Sequence, residues 1–250
     1  MLSPRKVLRD KLLRLVEEAV ERVSARRHDE LRAELRAWER RTRRDVWTAL
    51  EQEAARSSAE LVRTSMHALT LSTHPHQTLR EALRAAPESG MSLEFGVATG
   101  TTLRIIAEER TGGVYGFDSF DGLPQDWRLG YDAGEFAHEI PAVRGAEIVV
   151  GLFADTLPGF LASHPDPVAF VHIDCDLYSS TAEVLEQLTP RLVDGTVLLF
   201  DEYYNFPGWQ QHEHRAWCEY VERTGLEFEY AGLTMDDEQV WVRVTGVPPS

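Results

Sequence analysis

Two stretches concentrate carboxylates where an apolar run ends. Val171-His172-Ile173-Asp174-Cys175-Asp176 closes one run, and Phe200-Asp201-Glu202 closes the next. If the runs are neighbouring strands of a doubly wound sheet, their C-terminal ends meet at one crevice. Asp174, Asp201 and Glu202 then offer oxygen ligands at a single point, where unpaired acids repel one another unless protons or a cation relieve them. A hard divalent ion such as Mg²⁺, keeping some of its water, suits this ligand set. The plainer alternative is that one of these acids caps a helix or a backbone amide. Asp174 or Asp176 is also a candidate general base.

Two earlier stretches suit a nucleoside. In Leu93-Glu94-Phe95-Gly96-Val97-Ala98-Thr99-Gly100-Thr101, Gly96 and Gly100 allow a tight turn and close approach of a ligand. The helix that follows offers unpaired N–H groups. A dinucleotide fingerprint needs a third glycine, and Leu103 stands there instead, so a smaller nucleoside ligand is expected. Asp118, closing Val114-Tyr115-Gly116-Phe117, is placed to accept both hydroxyls of a ribose. Its alternative role is to cap the next loop.

Other reactive side chains carry less. His138, in the 134–142 loop, is an acceptor-site candidate and a possible alternative base. His212 and His214 are two apart on an expected helix and do not share a face. Cys175 is expected to pack beneath the acids, and Trp209 and Trp217 to belong to the core.

The elements that must position these residues alternate in type. Strands are expected near 92–97, 113–117, 147–150, 168–173, 195–200, 227–231 and 238–244. Helices are expected near 78–86, 101–110, 156–163, 178–190 and 209–224. Such alternation gives a largely parallel sheet covered on both faces, and the short 232–237 connection makes the last two strands antiparallel. Before residue 75 the pattern is helical, opened by Ser3-Pro4. Leu13, Val16, Val20 and Val23 form one apolar stripe, and Leu31, Leu35 and Trp38 begin another. A bend near 26–29 is expected between them, giving a hairpin or a dimer-forming pair. Arg40, Arg41, Arg43 and Arg44 read as a solvated face.

Composition narrows the class. The chain of 250 residues has a net charge of −15. Residues 1–75 carry 16 Lys+Arg against 12 Asp+Glu, and residues 76–250 carry 10 against 29. An acidic domain disfavours nucleic acid as substrate. No apolar run is long enough to span a membrane, and the charged N-terminus does not read as a secretory signal. Two cysteines with no metal or disulfide spacing fit a reducing cytoplasm.

Together, Glu94–Thr101, Gly116–Trp127, Gly151–Pro158, His172–Thr181 and Phe200–Gly208 resemble the macrocin O-methyltransferase family, over about residues 90–245. The resemblance implies a Rossmann-like class I methyltransferase sheet, mostly parallel with an antiparallel last strand. It also implies S-adenosylmethionine and Mg²⁺. Glu94, Gly96 and Thr101 would surround the methionine part of the cofactor. Asp118 and Ser119 would meet the ribose, and Phe153 and Ala154 would border adenine. Asp174, Asp201 and Glu202 would hold the metal.

The expected division is a helical N-terminal appendage, 1–75, serving association or as a lid, and a cofactor-binding domain, 76–250. The expected activity is O-methylation of a small hydroxylated acceptor, with a natural-product sugar as one candidate and homo-oligomerisation through the appendage. A catechol-type acceptor is the alternative within the class. A non-catalytic cofactor-binding assembly protein is the alternative outside it.

Overall fold

The computed structural model describes residues 4–248, with side chains described at Leu15 and from Val20 onward. The Ser3 cap and the side chains of Leu13 and Val16 therefore lie outside the described residues. The chain forms two compact units, Met1–Leu50 and Glu51–Ser250.

The first unit is dominated by helix α1, Pro4–Thr42. The bend expected near 26–29 is absent. No glycine or proline interrupts residues 5–42, and Arg26 pairs with Glu30 at 2.9 Å across the expected break, so nothing there stops helix propagation. The helix instead ends at residues 43–45, where Asp45 Oδ1 accepts the N–H of Trp47 at 3.1 Å and starts helix α2, Val46–Ser65. Val20, Val23, Leu31, Leu35 and Trp38 are each more than half exposed.

The second unit holds an eight-stranded sheet. Its strands are β1 (Thr70–Ser72), β2 (Met91–Phe95), β3 (Val114–Asp118), β4 (Glu147–Val150), β5 (Val168–Ile173), β6 (Leu192–Phe200), β7 (Glu227–Thr234) and β8 (Val240–Gly246). Their order is β1-β7-β8-β6-β5-β2-β3-β4, and β8 alone runs against its neighbours. Helices α3 (Pro75–Ala85) and α4 (Thr101–Glu109) cover one face, through Leu79, Leu83, Leu103 and Ile106. Helices α5 (Phe153–Ser163), α6 (Tyr178–Leu188) and α7 (Glu213–Thr224) cover the other, through Leu157, Leu185 and Trp217. Strand β6 serves both, with Val197 and Leu199 in one cluster and Leu198 and Phe200 in the other.

The strand order reverses beside β2, which pairs with β3 on one side and β5 on the other. Phe95 lies opposite Ile173, and Ile173 opposite Phe200, so β2, β5 and β6 end level. That level end is where a doubly wound sheet binds ligands.

Strand β1 was not expected; it adds three residues in parallel to β7, with Thr70 opposite Gly232. Residues 51–75, which the sequence reading placed with the appendage, belong to the second unit. Ala54 and Met66 are buried in the same cluster as Phe206 and Trp209. A chain starting at Glu51 should therefore unfold like the full chain. One starting at Leu71 should lose about 3–5 kcal/mol, from lost apolar burial and hydrogen bonds. Urea unfolding of the two chains checks this; equal midpoints would place residues 51–70 outside the cooperative unit.

Candidate active site

The glycine turn after β2 is shaped by what lies beneath it. Gly96 has φ +94°, and a Cβ there would sit 1.7 Å from the carbonyl oxygen of Asp174. Only glycine lets the two strand ends touch. Gly100 has φ +72° and caps α4, and a Cβ there would meet Val143 and Pro141 at 2.9 and 3.0 Å. Its constraint is packing against the 141–143 segment.

Asp118 braces this turn. Its Oδ2 accepts the N–H groups of Val97 and Ala98, both at 2.8 Å, and its Oδ1 accepts that of Phe120 at 2.7 Å. The carboxylate thus does the loop-capping work and also borders the main cleft. That cleft, about 510 Å³, is lined by Gly96, Asp118 and Ser119 on one side and by Phe153 and Ala154 on another. Asp174, Asp176 and Glu202 line it too.

The acids are crowded. Ligand atoms of Asp174, Asp176 and Glu202 lie within 4.8 Å of one another, and so do those of His172, Asp174 and Asp201. Asp174 is shared, so the expected triad appears as two overlapping groups. Burial, then the neighbouring carboxylates, hold Asp174 and Glu202 well above the usual carboxylate range. Asp176 is pushed up to about 7 by burial and by Asp201. Glu202 Oε2 is buried without a hydrogen-bond partner. A hard cation fits this donor set, because it would satisfy the unpaired oxygen and offset the repulsion.

Two groups that the motifs left unassigned complete the cluster. His172 is fully buried opposite Glu94. Its Nδ1 lies 2.9 Å from Glu94 Oε1, and its Nε2 3.5 Å from Asp201 Oδ1. Burial alone would lower the imidazole, but its bonds to Asp201 and Glu94 outweigh that and hold it well above its ordinary value. His172 thus lies between two acids. Glu94, expected beside the cofactor, is fully buried below the cleft and orients this histidine instead. Glu213 is also fully buried, and its Oε2 accepts the N–H of Glu202 at 3.1 Å. The signal for Glu213 was its spacing, four residues from both Trp209 and Trp217, which places it on the core face.

Other expected residues fall outside the cleft lining. Thr101 is exposed, with its hydroxyl 3.0 Å from that of Thr99. His138 is exposed on the surface of the loop between β3 and β4 and donates only its backbone N–H, to Phe120. Trp209 and Trp217 are buried as expected, and Cys175, also buried, borders the cleft.

The same loop contributes an aromatic wall. Trp127, Tyr131 and Phe136 line the cleft, and the Arg128 guanidinium sits 4.0 Å over Trp127 and 4.5 Å over Phe206. Arg128 Nη1 also bonds Glu238 at 2.9 and 3.1 Å, fastening the loop to the β7–β8 turn.

Residues 93–203 match a family model described as a methyltransferase domain. An O-methyltransferase of Streptomyces olivaceus, acting at the 4' position of a rhamnosyl-tetracenomycin C, is 32% identical over 36% of this chain. The chain spans 41% of that relative's length. Among solved structures, the calicheamicin methyltransferase CalS11 aligns with a TM-score of 0.55 at 24% identity, covering 77% of this chain and 91% of its own. The O-methyltransferase NovP aligns with a TM-score of 0.51 at 24% identity, covering 68% and 79%. These two likenesses establish the fold. Strand order and these likenesses give a Rossmann-like class I fold, and residues 93–203 match the methyltransferase-domain model.

Asp118→Ala should weaken S-adenosylhomocysteine binding by about 1–3 kcal/mol, because two amides of the glycine turn and that of Phe120 lose their acceptor. Calorimetric titration measures it; undiminished affinity would remove Asp118 from the site.

Proposed function

We propose that the protein is an S-adenosylmethionine-dependent O-methyltransferase of a small natural-product acceptor, with a sugar hydroxyl as the methylated group and Mg²⁺ as the metal. The observation that carries this reading is the crowded carboxylate cluster of Asp174, Asp176 and Glu202 bordering the same cleft as Gly96 and Asp118.

The methyl carbon passes from sulfonium sulfur to acceptor oxygen. The C–S bond breaks, a C–O bond forms, and the hydroxyl proton leaves to a base. Asp174, Asp201 and Glu202 would hold the divalent ion, which when bound polarises the acceptor hydroxyl. Asp176 would take the proton, since its carboxyl borders the cleft and lies next to the other acids. Gly96, Asp118, Ser119, Phe153 and Ala154 would hold the cofactor. The aromatic wall of Trp127, Tyr131 and Phe136 would exclude water and orient the acceptor. The aromatic wall and the sugar chemistry of the Streptomyces relative both support a glycosylated acceptor.

Asp174→Asn and Asp201→Asn should each cut methyl transfer at least about a hundredfold while leaving S-adenosylhomocysteine affinity nearly unchanged. Labelled methyl donor with a panel of deoxysugar glycosides supplies the assay. EDTA should abolish transfer by the wild type, and Mg²⁺ should restore it. Full activity in excess EDTA would end the metal assignment.

Residues 1–50 are proposed to mediate self-association. The exposed Val20, Val23, Leu31, Leu35 and Trp38 leave apolar surface on α1 that a second copy can cover. Sedimentation of the full chain should show an oligomer, and the chain starting at Glu51 a monomer. If both sediment as monomers, this role is wrong.

A further inference from the structure

The Asp201-Glu202 pair sits at the start of an irregular loop, 201–208, between β6 and a short 3-10 turn at Trp209–Gln211. Nothing in such a loop fixes two carboxylates unless its backbone is tied down. Its first residue is tied by the sheet, since the Asp201 N–H donates to Ile173 O at 2.9 Å. The β7–β8 turn holds one flank: Tyr203 N–H donates to Glu238 O at 3.0 Å, and Asn205 Nδ2 to Asp237 O at 3.2 Å.

The opposite flank is held from far away in sequence, by helix α2. Ser58 Oγ accepts the Asn205 N–H at 2.9 Å. Ser57 Oγ accepts from Trp209 Nε1 at 3.0 Å and from Gln210 Nε2 at 3.3 Å. The Ser57 hydroxyl also lies 2.9 Å from Ala54 O, to which it donates its own proton, so its lone pairs are turned towards the loop. Asn205 has φ +68°, a left-handed conformation that asparagine adopts more readily than other residues with a Cβ. Ser58 and Trp209 are buried, and Ala54 and Met66 pack in the same cluster as Phe206 and Trp209.

We infer that Ser57 and Ser58 are positioning residues for the Asp201-Glu202 carboxylates, so that the second half of α2 is part of the reaction centre's framework. The pair is held by the sheet at residue 201, by Glu213 at residue 202 and by the β7–β8 turn at residue 203, and α2 braces the loop beyond it at residue 205. The inference rests on the reading of these acids as a cation site.

The test uses the full-length chain, with Ser57→Ala/Ser58→Ala, the single Ser57→Ala, and Ser57→Thr, which keeps the hydroxyl at a partly exposed position. Mn²⁺ affinity is followed by the electron paramagnetic resonance of free ion, S-adenosylhomocysteine affinity by calorimetry, and amide exchange of residues 203–210 by mass spectrometry. The double variant should bind Mn²⁺ about tenfold more weakly and exchange about tenfold faster across 203–210, the effect of losing about one net hydrogen bond. Its S-adenosylhomocysteine affinity should stay within about twofold, and Ser57→Thr should match the wild type. If the double variant does not fold, Ser57→Ala must show the same changes in reduced size. Unchanged exchange overturns the brace. Faster exchange with unchanged Mn²⁺ affinity overturns its positioning role. If the wild type itself takes up no Mn²⁺, the cation site falls, and the exchange rates alone uphold or overturn the brace.

Discussion

Asp176 and Glu213 are buried and Asp174 and Glu202 partly buried at one end of the sheet, and their charges raise one another's proton affinity. Repulsion between like charges in little water is the constraint around which this end of the molecule is organised. Removing the acids from solvent is costly, and the structure offsets the cost at separate points. His172 sits between Glu94 and Asp201 below the cluster, and these two acids hold its imidazole well above its ordinary value. Glu213 accepts the Glu202 amide, so it fixes the backbone that carries the next acid. What these contacts leave unsatisfied, including Glu202 Oε2, is what a divalent ion would satisfy.

The side of the cleft lined by Gly96, Asp118 and Phe153 is built differently. It has few charges, and Asp118 spends three acceptor positions on backbone amides. The turn at 96–100 is therefore preorganised before any ligand arrives, and little conformational entropy is left to lose on binding. The aromatic side of the cleft is fastened by Arg128, stacked on Trp127 and Phe206 and paired with Glu238. That pair is largely shielded from water, which makes it stronger than a surface ion pair of the same length.

Much of this was legible in the sequence. Seven of the eight strands lie where alternating apolar runs put them, because each is long enough to show a period. The eighth, Thr70–Ser72, has three residues and no period to read. The continuous α1 was missed because Arg27 interrupts the apolar stripe, yet an exposed helix needs no unbroken stripe to propagate. Asp174, Asp176 and Glu202 were found at strand ends, where topology alone brings them together. The partner of Glu94 could not be read, because it is across the sheet: only the register of β2 against β5 sets Glu94 opposite His172. Ser57 and Ser58 are invisible for the same reason, lying about 150 residues from the atoms they hold.

The two halves of the cleft cannot be adjusted separately. Gly96, in the turn before the cofactor helix, touches the carbonyl of Asp174, and any side chain at 96 would push that residue out of line. The Asp174 N–H in turn donates to Phe95 O at 2.9 Å, so the contact is held by the ladder as well as by packing. A displacement at a methyl carbon needs donor, carbon and acceptor oxygen on one line, with reacting atoms about 3–3.5 Å apart. In the proposed reaction, the direct backbone contact between the glycine turn and the acid-bearing strand end would hold cofactor and acceptor close together. That contact is rigid because β2 and β5 are adjacent and fully buried. The alignment is therefore a property of the sheet's register, and the loops above it are left free to vary with the acceptor.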